Sequence, residues 1–84
     1  MIRSVHASAW KHGVSENDAL YALTNMVYEG YLNDGNPARR LILGFDPEGA
    51  LLELVVLIFD SGNELVIHAM PARKQYLRLL TKRH

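Results

Sequence analysis

Ala50 to Phe59 is apolar on both alternating side-chain sets of an extended chain, and Glu53 is its one interruption. A strand that shows neither face to water belongs in the middle of a sheet covered on both sides. Turn signals bracket it: Asp46-Pro47-Glu48-Gly49 before and Asp60-Ser61-Gly62-Asn63 after. Proline at the second turn position and glycine near the end of each are the residues tight reversals need. Arg39 to Phe45 and Glu64 to Met70 then read as flanking strands. Connections this short imply antiparallel neighbours, so the three form a meander.

The N-terminal side begins with helices. Ser8 or a neighbour starts a short one through Ala9, Trp10, Lys11 and His12, and Gly13 provides a left-handed stop. Ser15 starts a second, with Asp18 three residues later and Glu16 in the positive first turn. Ala19, Ala22, Leu23 and Met26 form its apolar stripe. Met26 to Leu32 can enter a further strand, which Gly30 interrupts or bulges. Asn33-Asp34-Gly35-Asn36-Pro37 turns the chain back. At the other end Pro71 opens a last helix with Ala72, Tyr76, Leu79 and Leu80 inward and Arg73, Lys74, Arg78 and Lys82 wet. The expected fold is α+β in a single domain over residues 1–84: two N-terminal helices, a three- to four-stranded antiparallel meander and one C-terminal helix.

With 84 residues and 49% hydrophobic content, the chain can bury one core and no second. It has no cysteine, which removes disulfides and CxxC zinc sites and fits a cytoplasmic setting. The four histidines show no local ligand spacing, so neither a metal nor another cofactor is expected. No apolar run is long enough to span a bilayer, and the start does not read as a secretory leader. Formal charge is zero but unevenly spread. Residues 65–84 carry five Lys or Arg and no acid, whereas residues 12–64 carry two arginines against nine acids. That asymmetry puts a local positive field at the C-terminal end.

Chemistry concentrates in Ile67-His68-Ala69-Met70-Pro71-Ala72-Arg73-Lys74-Gln75-Tyr76. With Leu65, Ile67 and Ala69 on the core side, His68 points away from it. Arg73 follows in the first turn of the last helix, beside N–H groups the helix leaves unsatisfied. An imidazole that titrates near neutrality next to such a helix start suits a phosphate site with an acid/base group attached. RNA cleavage needs a base for the ribose 2′-hydroxyl, a cation for the crowded phosphorane and an acid for the leaving 5′-oxygen. His68 is the candidate base or acid; its plainer role is a hydrogen-bonded strand histidine. Arg73 is the candidate phosphate ligand; its plainer role is a surface ion pair. Arg40 shares a strand face with Ile42 and Gly44, and Arg39 shares the other with Leu41, Leu43 and Phe45, read as the core side. Arg40 is therefore expected to face the substrate, with Arg39 at the core's edge. Tyr76, Lys74, Arg78 and Lys11 complete the candidate RNA contacts, although packing explains Tyr76 and a helix-end charge explains Lys11 and His12. Glu53 either pairs with an arginine across the sheet or orients His68. Trp10 reads as a core anchor.

Three motifs resemble those of the BrnT family, toxins of the RelE-like group of small ribonucleases. Lys11-His12-Gly13-Val14-Ser15 is similar to the family's K-H-G-V-S element. Arg39-Arg40 followed by Gly44 is similar to its E-R-R-x₃-G strand, with Ala38 in place of the acid. Ile67 to Arg73 resembles its I-I-S-A-R segment in a longer form, with His68 where many relatives carry serine. The resemblance implies an endoribonuclease toxin that cuts mRNA and halts translation, masked by a small DNA-binding antitoxin, alone or in a larger oligomer. A second class of function is a non-catalytic module that acts by binding its protein partner. A third, DNA binding through the opening helix pair, conflicts with the acidic second helix, because phosphate contacts need cations.

Overall fold

A computed structural model describes residues 2–81; Lys82, expected to stay wet, lies outside the described residues. The elements run β1 (Arg3–Val5), a 3-10 helix (Ala7–His12), α1 (Glu16–Thr24), β2 (Met26–Asn33), β3 (Ala38–Phe45), β4 (Leu51–Ile58), β5 (Glu64–Pro71) and α2 (Lys74–Thr81). The fold is α+β around one five-stranded mixed sheet, in the order β1-β5-β4-β3-β2. The apolar strand β4 is its middle member, with antiparallel β3 and β5 on either side. No helix among the described residues is long and apolar enough to cross a membrane.

Two expectations about the layout need correction. The sheet is not a pure antiparallel meander of three or four strands: β1 adds a parallel fifth along β5, pairing Arg3 with Glu64 and Val5 with Val66. Three residues carry too little alternation to be recognised as a strand. An ion pair between Arg3 and Glu64 at 2.7 Å and the Glu64 N–H bond to the Ile2 carbonyl tie this segment down. The first helix is a 3-10 helix, ended by Gly13 at φ 78°. Its Ala9 is buried, while Trp10, expected as an anchor, is 51% exposed.

The second helix forms as its sequence suggests. Ser15 Oγ accepts the Asp18 N–H at 3.1 Å, and Ala19, Ala22 and Leu23 are buried. They pack on Ile42, Leu52, Leu54, Val56, Val66 and Ala69, each fully buried large side chain contributing about 2 kcal/mol of apolar transfer. Gly44 permits this approach, since a Cβ there would stand 2.0 Å from the Ala22 carbonyl oxygen. Leu41 and Leu43 are also buried, on the opposite face. Both faces of β3 are thus apolar, and the glycine decides which one receives α1.

In β5 the pairing shifts between Val55 and Val56, where Val56 meets Val66 and Val55 meets His68. Ile67 is the extra residue of this bulge, which reverses the alternation beyond it. Val66 and Ala69 therefore face α1 together, instead of the expected Leu65, Ile67 and Ala69 set. His68 still faces away from Ala69, as expected. Pro71 ends β5 opposite Leu52 and does not open the helix. The Ala72 N–H bonds the Leu51 carbonyl, which prolongs strand geometry and delays α2 to Lys74.

Candidate active site

On the face opposite α1, a groove of about 330 Å³ is lined by Leu32, Arg39, Glu53, Val55, Ile67, His68, Arg73 and Tyr76. Glu53 is its centre. The carboxylate side chain is 1% exposed and is the only buried charged group among the described residues. Its Oε2 accepts from His68 Nε2 at 3.1 Å and from Arg73 Nη2 at 2.8 Å. Its Oε1 accepts from the Arg73 backbone N–H at 3.0 Å and from Arg73 Nε at 3.1 Å. Glu53 holds His68, as one of its two expected roles had it, and its arginine partner is Arg73 in the passage from β5 to α2 rather than an arginine across the sheet.

Burial raises the Glu53 pKa, but the Arg73 side chain, the Arg73 N–H and His68 outweigh it, holding the carboxyl below its usual 4.5. The Arg73 guanidinium is raised in turn, first by its hydrogen bond to Glu53 and then by that residue's charge. A carboxylate only accepts, so the proton it shares with His68 sits on Nε2. That tautomer leaves the Nδ1 lone pair as the ring's base.

The place expected to meet a phosphate is thereby filled from within. The Arg73 N–H, just before α2, points at the protein's own carboxylate, and two further guanidinium N–H groups are committed to it. Arg73 keeps its remaining N–H groups and half its side-chain surface for a ligand. Its guanidinium carbon lies 5.5 Å from the Tyr76 ring centroid, which fixes the outer edge of the cation.

The two strand arginines exchange the roles expected of them. Arg40 pairs with Val56 across the sheet and stands on the α1 face. There it bonds Glu29, donates to Tyr31 Oη at 3.1 Å and lies over the Tyr31 ring. Glu29 holds its guanidinium pKa up against burial. Arg39 lines the groove, exposed and without a hydrogen-bond or ion-pair partner among the described residues. The expectation failed because Leu41 and Leu43 marked the Arg39 side as core, whereas α1 packs over Gly44 on the other.

The groove gathers His68, Arg73, Arg39 and Tyr76 from the candidate residues. Arg40, Lys11, Lys74 and Arg78 do not line it, although the last three are exposed. Leu32, Val55 and Ile67 supply apolar walls that no chemical motif announced. The 3-10 helix continues along the β5 edge where β1 stops, with Ser8 Oγ donating to the Ile67 carbonyl at 3.0 Å. It brings the His12 ring edge-on to His68, with centroids 5.7 Å apart. Among the described residues, one group of acids is close enough to share a cation: Asp18, Asp46 and Glu48. None of them lines the groove, and Asp46 already accepts the Glu48 and Ala50 N–H groups of its turn.

A base lone pair, an arginine held in place, a second arginine without a partner among the described residues and an apolar wall form one concave surface. It can hold an anion, shield an adjacent flat group from water and remove a proton. No family model, no curated protein and no solved structure matches the chain.

Proposed function

We propose that this chain is an endoribonuclease of the toxin type, cutting mRNA by attack of the ribose 2′-hydroxyl on the adjacent phosphate. The observation that carries this reading is the buried Glu53 carboxylate holding His68 and Arg73 on the same groove wall, across from Arg39. His68 Nδ1 takes the 2′-hydroxyl proton. Arg39 and the free edge of Arg73 hold the phosphate and neutralise the phosphorane. Tyr76 and Leu32 give the neighbouring base an apolar surface. Lys74, Arg78 and Lys11 add exposed positive charge around this surface.

The motif resemblance to BrnT-like toxins supports the reading and adds a partner, a small DNA-binding antitoxin in the cytoplasm. The β2 edge offers such a partner an accessible surface, since Val27, Tyr31 and Leu32 are about half or more exposed. That surface equally suits the second reading, a module that binds its partner without cutting RNA.

Purified protein incubated with labelled single-stranded RNA separates the two. Cutting is expected to leave 2′,3′-cyclic phosphate and 5′-hydroxyl ends and to fall about 100-fold or more in His68→Ala. Intact RNA with wild-type protein, alone and with translating ribosomes, would reject the nuclease and leave the binding module.

A further inference from the structure

Cleavage as drawn lacks one participant. The 5′-oxygen leaves as an alkoxide unless a group protonates it, and nothing else lining the groove does this readily. Arg73 and Arg39 are spent on the phosphate, Glu53 is committed as an acceptor, and His68 is occupied as the base. Tyr76, half-buried beside Arg73, is taken up as the flat surface for the neighbouring base.

We infer that His12 is the general acid of this site, paired with His68 as base. The inference rests on the nuclease reading and deepens it. Its observation is the edge-to-face contact of the two rings, centroids 5.7 Å apart and planes at 68°. His12 comes from a different element, stands just outside the groove lining, and is exposed, so it exchanges protons with solvent. Its position is built. Ala9 is buried in the core, Ser8 is bonded to the β5 edge, and Gly13 in the left-handed region stops the 3-10 helix directly after the ring.

The environments of the two imidazoles divide the labour. His68 Nε2 is bonded to Glu53, which fixes one tautomer and leaves Nδ1 to accept. His12 makes no hydrogen bond or ion pair to a carboxylate among the described residues, and Lys11 is the charged neighbour on its own element. The charged groups around His68 are Glu53 and Arg73. In the step, the O2′–phosphorus bond forms while the phosphorus–O5′ bond breaks. The 2′-hydroxyl proton passes to His68 Nδ1, and the His12 imidazolium gives its proton to O5′. The products are a 2′,3′-cyclic phosphate and a 5′-alcohol. Solvent then takes the proton from His68 and returns one to His12.

Leaving-group chemistry tests the assignment. Once a cut site is mapped on single-stranded RNA, the dinucleotide spanning it is compared with a 3′-(4-nitrophenyl phosphate) of the same 5′-side nucleoside. Nitrophenolate leaves without a proton, so a general acid matters only for the dinucleotide. His12→Ala and His12→Gln are expected to slow the dinucleotide about 100-fold or more while changing the aryl ester by less than about threefold. His68→Ala is expected to slow both substrates. Equal losses on the two substrates in both His12 variants would mean a structural role and overturn the assignment, as would no loss on either. Wild-type protein that cuts neither RNA nor ester would remove the nuclease reading itself, and the assignment with it.

Discussion

Glu53 joins His68 and Arg73 through four hydrogen bonds while being almost wholly buried. Its pKa lies below the ordinary carboxylate value, so the folded state binds its proton less readily than the unfolded chain. The corresponding stability is present above about pH 4.5 and is lost as pH falls through the lowered folded value. Glu53→Gln is expected to cost about 1–2 kcal/mol at pH 7, because Arg73 is exposed enough to be rehydrated. Urea denaturation at pH 7 and pH 3 should show the gap narrowing in acid. The strand arginines divide similarly. Arg39→Ala is expected to slow RNA cutting about tenfold or more, and Arg40→Ala to leave it within about threefold. A larger loss in Arg40→Ala would return the substrate to the α1 face. The lone acid in an apolar strand was visible in the sequence as an anomaly with two candidate partners. The Arg39/Arg40 choice was not visible, because both side-chain sets of β3 are apolar and only packing at Gly44 separates them.

At the scale of elements, β4, β3 and α1 follow from periodicity, caps and turns, whereas α2 is present but starts at Lys74, later than Pro71 suggests. β1 and the β5 bulge do not follow from these signals. A three-residue strand has no periodicity to detect, and a bulge is an interruption that alternation cannot announce between Leu65 and Ala69, where His68 alone departs from apolar residues. The contact between α1 and β3 makes its own prediction. Gly44→Ala would drive a methyl into the Ala22 carbonyl, which is backbone and cannot swing aside. A loss of about 3 kcal/mol or more is expected in urea denaturation. Gly13→Ala meets no atom but inherits φ 78°. Its cost is expected to be about 1 kcal/mol, and it tests whether the end of the 3-10 helix, and with it His12, shifts.

For the whole molecule, neutrality concealed a polarised arrangement. Acids populate the N-terminal and central elements, whereas α2 is basic and sits beside a groove that holds Arg39, without an ion-pair partner among the described residues. Affinity for single-stranded RNA should therefore weaken with added salt. A plot of log affinity against log salt should lose about 0.7 of its slope in Arg39→Ala, the share of one phosphate contact. Fluorescence anisotropy of a labelled oligonucleotide between low and moderate salt measures it, and an unchanged slope would mean that Arg39 meets no phosphate.

The sheet's two faces have separate employments, α1 and its alanines on one and the groove on the other. A protein divided in this way can drift in sequence along its sealed side, trading one small apolar residue for another, without disturbing the groove side. Tolerance to heat and catalytic temperament would then be free to evolve on independent schedules, with only Gly44 and the β5 bulge, which set the facing of both, held fixed.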